Sequence, residues 1–260
     1  IAPNFAGIGV GDVSGDGAPA LYFVDYNNTL EDRLWINDGN GFFTDESAAR
    51  LTPTMLESDF GVMAAIADMN GDGVADIVKD RGSSATLPPL RVSISYNSPA
   101  NEGYFNTFAV IYNGNPYHVK VGDLNNDNLL DLVIEDDGTD RYLLNQGNDA
   151  AGLATFGNQT ISSQPDSFGG NIVIRDLDQD GFQDVIVADV DVDCCGFTRH
   201  MKIWRNLGNV PNVTFQEQSL VIPLASRIGT HDVGVFDLNG DSYLDLVIGT
   251  YLGTSVWIQQ

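Results

Sequence analysis

Apolar residues in this chain fall into short runs that recur in pairs. The first member of each pair is short and alternating: Ile8-Gly9-Val10, Ala64-Ala65-Ile66, Val119-Lys120-Val121, Ile172-Val173-Ile174 and Val233-Gly234-Val235. The second is more continuous: Leu21-Tyr22-Phe23-Val24, Ile77-Val78, Leu132-Val133-Ile134, Val185-Ile186-Val187 and Leu246-Val247-Ile248. β-Branched and aromatic runs of this length predict strands, and the segment between the two members predicts a hairpin connection. Nowhere is a 3.6-residue apolar period sustained, so almost no helix is expected.

A third run follows each pair and usually ends in an amide: Arg33 to Asn37, Arg91 to Asn97, Arg141 to Asn145, Lys202 to Asn206 and Ser255 to Gln259. After a turn rich in Gly, Asn and Asp comes a short aromatic strand, as in Phe42-Phe43-Thr44, Tyr104-Phe105, Thr155-Phe156 and Thr214-Phe215. Four antiparallel strands per unit, repeated five times, predict an all-β chain folded as a five-bladed β-propeller rather than a solenoid. The expected blades span residues 7–56, 57–112, 113–164, 165–225 and 226–260 with 1–6, in one domain over 1–260. The fifth unit stops after its third strand, so Ile1 to Phe5 is the expected source of the missing outer strand. A truncated ring, or an edge completed by another chain, is the alternative.

The connection between first and second strands carries the chemistry. It reads DVSGDGAPA from Asp12, DMNGDGVAD from Asp68, DLNNDNLLD from Asp123, DLDQDGFQD from Asp176 and DLNGDSYLD from Asp237, with starts 56, 55, 53 and 61 residues apart. Oxygen-bearing side chains at positions 1, 3, 5 and 9, with the carbonyl of position 7, suit a hard cation that takes six to eight oxygens, and calcium fits better than magnesium. The expected ligands are Asp12, Ser14, Asp16 and Ala18; Asp68, Asn70, Asp72, Val74 and Asp76; Asp123, Asn125, Asp127, Leu129 and Asp131; Asp176, Asp178, Asp180, Phe182 and Asp184; and Asp237, Asn239, Asp241, Tyr243 and Asp245. Ala18, Val74, Leu129, Phe182 and Tyr243 enter through their carbonyls. Position 6 is expected at positive φ, which suits Gly17, Gly73 and Gly181, is tolerable for Asn128 and is least comfortable for Ser242. The first copy has Ser14 at position 3 and Ala20 at position 9, so four strong sites and a weaker fifth at Asp12–Asp16 are expected. Asx residues often build polar turns without any metal, but a turn was expected to have no need of the repeated Asp at position 9. An EF-hand is excluded, because position 12 is Lys79, Ile134, Val187 or Ile248 instead of Glu and the flanks are strands.

Composition sharpens this picture. The formal charge is −24, and 30 of the 36 acidic residues are Asp, half of them inside the five loops. With 12 Lys plus Arg and no basic cluster, nucleic-acid binding is not expected. No apolar stretch is long enough for a membrane span. A start at Ile1 without Met or signal peptide fits a processed protein or an excised domain. Adjacent Cys194 and Cys195 are either two free thiols or a strained vicinal disulfide.

The loops, together with Phe60-Gly61 and Phe168-Gly169 before first strands, make the chain resemble the FG-GAP/VCBS repeat family, calcium-looped propellers that include the integrin α-subunit head. The resemblance implies calcium on one face of the propeller, carried residue by residue onto the last four loops above. It also implies an extracellular recognition or adhesion module for a glycan or protein, bound on the face opposite the calcium loops. Candidates there are Asp25-Tyr26-Asn27, Asp80-Arg81, Asp136-Asp137, Asp140-Arg141, Asp189 to Asp193 with Arg199, His231-Asp232 and Tyr251. The alternative is a structural subunit that self-assembles into a homo-oligomer, surface layer or filament; a polysaccharide-acting enzyme using paired rim carboxylates ranks below both. No catalytic residues are expected: His118, His200 and His231 lie in separate units without ligand spacing, and no nucleophile elbow or phosphate loop occurs.

Overall fold

A computed structural model describes residues 4–27, 30–58, 60–81, 91–136, 138–161, 170–188 and 200–260. It is all-β, with nineteen strands among the described residues in five antiparallel sheets, the architecture of a β-propeller. The first sheet orders β1 (Phe5–Gly11), β2 (Ala20–Asp25), β3 (Arg33–Asn37) and β4 (Phe43–Asp45) in sequence. The second does the same with β5 (Ala64–Ala67), β6 (Asp76–Arg81), β7 (Arg91–Ser98) and β8 (Asn101–Tyr112). The third contains β9 (Pro116–Gly122), β10 (Asp131–Asp136), β11 (Arg141–Asn148) and β12 (Ala154–Thr160). The fourth contains β13 (Ile172–Arg175), β14 (Asp184–Val187), β15 (Lys202–Asn206) and β16 (Phe215–Glu217). The fifth has three strands, β17 (Thr230–Phe236), β18 (Asp245–Thr250) and β19 (Gly253–Trp257). Helix is confined to two single turns, Ser47–Arg50 and Pro53–Leu56, and two 3-10 turns.

The two apolar patterns have the expected cause. Every residue of β6, β10 and β14 is buried, whereas β1 alternates. A strand covered on both faces reads as a continuous apolar run, and one with a wet face alternates. The segment expected to complete the fifth sheet behaves differently over its described part. Phe5 opens β1 opposite Asp25, and the Asn4 carbonyl accepts the Tyr26 amide at 2.8 Å, so both residues extend the first sheet.

The chain divides into two compact units, residues 1–119 with 145–157 and residues 120–144 with 158–260. In the first, Val24, Leu34, Met55, Ile77 and Phe105 form a fully buried core. It also encloses a buried ion pair: Lys79 Nζ bonds Asp32 and donates to the carbonyls of Met55 and Glu57 at 2.7 Å each. Tyr22 donates to the same Asp32 carboxylate at 2.9 Å. Every donor of the ammonium is thus used, the condition under which a buried charge is tolerated. Phe60 and Gly61 show why that dipeptide precedes a first strand. Phe60 takes φ of 60° and stacks edge-on with Tyr26 at 5.5 Å. At Gly61 a Cβ would stand 2.2 Å from Val24 Cγ1 and 2.9 Å from the Asp80 carbonyl, so no larger residue fits.

In the second unit, Val133, Ile172, Val185 and Trp204 anchor one apolar cluster, and Ile186, Met201, Val233 and Ile248 another. Among the described residues no helix is long and apolar enough to cross a membrane.

Candidate metal loops

All five loops are built on one hydrogen-bond plan. The N–H of position 6 (Gly17, Gly73, Asn128, Gly181, Ser242) donates to the position 1 carboxylate at 2.7 to 3.0 Å. The N–H of position 7 donates to the position 5 carboxylate at 2.8 to 3.1 Å. These bonds wrap the chain around its own carboxylates, and the wrap requires two residues of left-handed backbone. Position 6 is one, with φ of 81°, 93°, 67°, 90° and 73° from the first loop to the last. Position 4 is the other: Gly15, Gly71, Asn126, Gln179 and Gly240 lie between 58° and 80°. Sequence reasoning found the first and missed the second, although glycine or asparagine fills four of its five copies.

Position 9 has a structural job as well. Oδ2 of Asp76, Asp131, Asp184 and Asp245 accepts the N–H of position 2 (Met69, Leu124, Leu177, Leu238) at 2.8 to 3.0 Å. In three loops the other oxygen accepts the amide that ends the third strand, from Asn97, Asn206 or Gln259. The expectation that a turn has no use for a carboxylate there is therefore corrected: this Asp pins the loop to its own sheet. All four are buried. Burial raises Asp76 to about 7 and Asp184 to about 6, with the charges of Asp68 and Asp72, or Asp178 and Asp180, adding to the rise. Carboxylates held together against their ionisation are the setting in which a bound cation is most favourable.

The recurrent third-strand Asn, noted in the sequence without a role, joins successive sheets. Asn97 Nδ2 donates to the carbonyls of Val13 and Ala75 at 2.8 and 2.9 Å. Asn206 Nδ2 does the same to Leu124 and Gln183 at 2.7 and 3.1 Å, and Asn145 Nδ2 reaches Met69 at 2.9 Å. Val13, Met69 and Leu124 all occupy position 2 of the preceding sheet's loop.

The fourth loop gathers its carboxylates most tightly: one oxygen each from Asp176, Asp178 and Asp184 lie within 4.8 Å of one another. In three other loops position 3 is Asn, whose Nδ2 donates to the position 5 carboxylate at 2.9 or 3.0 Å. Asp178 has no such donor, and Arg205 from β15 provides one to Asp180 at 3.0 Å. In the first loop Ala20 brings no carboxylate. Glu102 of β8 packs against position 4 of that loop, its Oε2 1.8 Å from where a Gly15 Cβ would stand. An all-oxygen set of this kind fits a hard divalent cation.

The residues proposed from sequence for the opposite face are mostly not a rim. Asp25, Asp80, Arg81, Asp136 and Asp140 are buried. Asp25 caps the amide of Asn4 at 3.1 Å, and Asp80 those of Val62 and Met63 at 2.9 and 2.7 Å. Their role is to satisfy backbone donors, of which the Val62 amide is buried and would otherwise be unpaired. His231, Asp232 and Tyr251 are exposed. Asp137, Asp189 to Asp193, Cys194, Cys195, Arg199 and Phe168-Gly169 lie outside the described residues.

A family model of the FG-GAP-like repeat matches residues 12–78, 123–187 and 176–248. Human integrin alpha-7 is 33% identical over 155 residues, covering 54% of this chain and 12% of that protein. The chain thus spans about an eighth of this relative's length. Among solved structures, the V. cholerae biofilm matrix protein Bap1 superposes with a TM-score of 0.52 at 14% identity, over 95% of this chain and 35% of that one.

Proposed function

This chain belongs to the FG-GAP-like repeat family, and from that premise we propose that it is a calcium-stabilised extracellular recognition or adhesion module for a protein or glycan ligand. The observation that carries the reading is the shared plan of the five acidic loops. Asp76 feels the charges of Asp68 and Asp72, and Asp184 those of Asp178 and Asp180, on a scaffold that also locks the sheets. A calcium ion bound there neutralises crowded carboxylates and fixes a hairpin, so the metal serves stability rather than chemistry. Four loops bind strongly, and the loop at Asp12–Asp16, which has Ser14 and Ala20, binds more weakly. Sites of this type fill where calcium is millimolar, which favours an extracellular setting. Similarity to an integrin subunit supports protein recognition, and no catalytic step is assigned.

The test is binding of the whole chain to a glycan array and to a panel of matrix proteins, with 2 mM calcium or with chelator (~2 mM being the extracellular range). Calcium-dependent retention on a defined ligand supports the module. The self-assembly alternative has its own support in β19, whose outer edge has no partner strand among the described residues and carries exposed Val256. Calcium-dependent growth in particle size without any ligand would favour that alternative.

A further inference from the structure

With 12 basic residues against 36 acidic ones, a place where two cations line one cavity is informative. One exists in the second unit. The first strands β9, β13 and β17 line a cavity of about 280 Å³, with Lys120 and Arg175 both among the lining residues. Lys120 is half-buried, and among the described residues its ammonium has no hydrogen bond and no carboxylate within ion-pair distance. Arg175 spends one N–H on the adjacent Ile174 carbonyl at 3.1 Å. Asp232, the nearby carboxylate, accepts Asn171 Nδ2 at 2.6 Å and the Val233 amide at 2.8 Å through one oxygen, Oδ1. Lys120 titrates below the ordinary lysine value, chiefly through burial; the Asp232 charge acts the other way, and the Arg175 charge adds a smaller push downward.

Two cations facing one small cavity repel each other and have lost part of their water. Asp232 stands close by but is not among the described residues that line the cavity, whose walls include Val121, Val173 and Val235. We propose that this cavity is an oxyanion site, with Lys120 and Arg175 binding a single carboxylate or sulfate group. A guanidinium matches the planar fork of a carboxylate or two oxygens of a sulfate, and an ammonium adds a point charge from a second direction. The volume lies just below the usual range of about 300 to 1,000 Å³ for small-molecule pockets, so it admits one anionic group or a single acidic sugar ring. The site uses neither the loop carboxylates nor their metal, and goes beyond the recognition reading above.

Calorimetric titration of the full chain in calcium-containing buffer at constant ionic strength tests it, with sodium sulfate and sodium glucuronate as probes. One anion per chain is expected. Lys120→Met and Arg175→Gln should each weaken binding about tenfold or more, while Arg33→Gln, the same charge change on β3, should leave it unaltered. Tighter sulfate binding identifies a sulfate ester as the natural group, and tighter glucuronate binding identifies a uronate. Lys120→Arg, which keeps the charge, should retain binding and guards against loss through misfolding. The idea is overturned if neither anion binds below about 10 mM, or if binding survives both charge-removing substitutions.

Discussion

Arg205 Nε on β15 lies 2.5 Å from an oxygen of Asp178, so the loop with the extra carboxylate is also the loop with a built-in cation. The guanidinium donates to Asp180 at 3.0 Å, replacing the bond that Asn70, Asn125 and Asn239 make in their own loops. Replacing Arg205 with Gln is expected to lower the melting temperature of the chelator-treated protein and to tighten calcium binding at the fourth loop. Adding Asp178→Asn should restore the first property, because the amide supplies the missing donor. Melting curves of the three proteins in EDTA, with calcium titrations alongside, decide the matter. An unchanged R205Q curve in EDTA would show that the guanidinium does not hold the loop.

Chelation should destabilise the whole fold. A site filled at one hundred times its dissociation constant adds about 2.7 kcal/mol, and even one such contribution shifts the melting temperature of a domain this size by up to about 10 °C. Asp68→Ala is expected to remove one calcium from the measured stoichiometry of strong sites, whereas Asp12→Ala leaves that number unaltered. A melting curve indifferent to EDTA would sink the calcium reading.

The third-strand asparagines are expected to be among the costliest polar residues to truncate. Asn97→Ala leaves the carbonyls of Val13 and Ala75 without their donor, and Asn206→Ala does so for Leu124 and Gln183. A buried acceptor left unpaired costs about 1 to 3 kcal/mol, and urea denaturation measures it. Asn40→Ala, in an exposed turn, is the control and should cost far less.

Asp80 should make stability fall as pH rises. Burial lifts its folded pKa to about 7, above an unfolded value of about 3.9. Between these values the folded protein keeps the proton and the unfolded chain has lost it. The folded state's advantage is therefore complete below about pH 4 and is lost progressively up to pH 7, by a few kcal/mol in all. Asp80→Asn keeps an acceptor for the Val62 and Met63 amides and removes the titration. In saturating calcium its urea midpoint should decline less between pH 5 and 7.5 than that of the native chain. Parallel declines would refute the assignment.

The strands, the five-fold repeat and the left-handed turn at position 6 were legible because each depends on local pattern. Even Ser242, the least comfortable residue at that position, adopts φ of 73°, since the loop's hydrogen bonds outweigh its preference. What the sequence concealed depends on distant partners. Lys79 read as a mark against an EF-hand, and its bond to Asp32 spans 47 residues. Arg205 read as one more strand residue, 25 positions from Asp180. The supposed rim carboxylates Asp25 and Asp80 read as exposed because acidic residues after a strand usually are. Here they are buried and cap amides 17 to 21 positions away, which no linear pattern reveals.

The bonds from Asn97 to Val13, Asn145 to Met69 and Asn206 to Leu124 set the boundaries of what can be inherited as a block. A stretch cut at the edges of its own sheet carries an asparagine whose acceptor stays behind and a loop carbonyl whose donor stays behind. A stretch cut from one acidic loop to the asparagine of the following sheet takes donor and acceptor together. That same stretch opens the next pair, since Val13 to Asn97 includes Met69 without Asn145. The bonds span 76 to 84 residues over loop starts 53 to 61 apart. No single-repeat block therefore keeps all its pairs, and the sheets are inherited as an interlocked series.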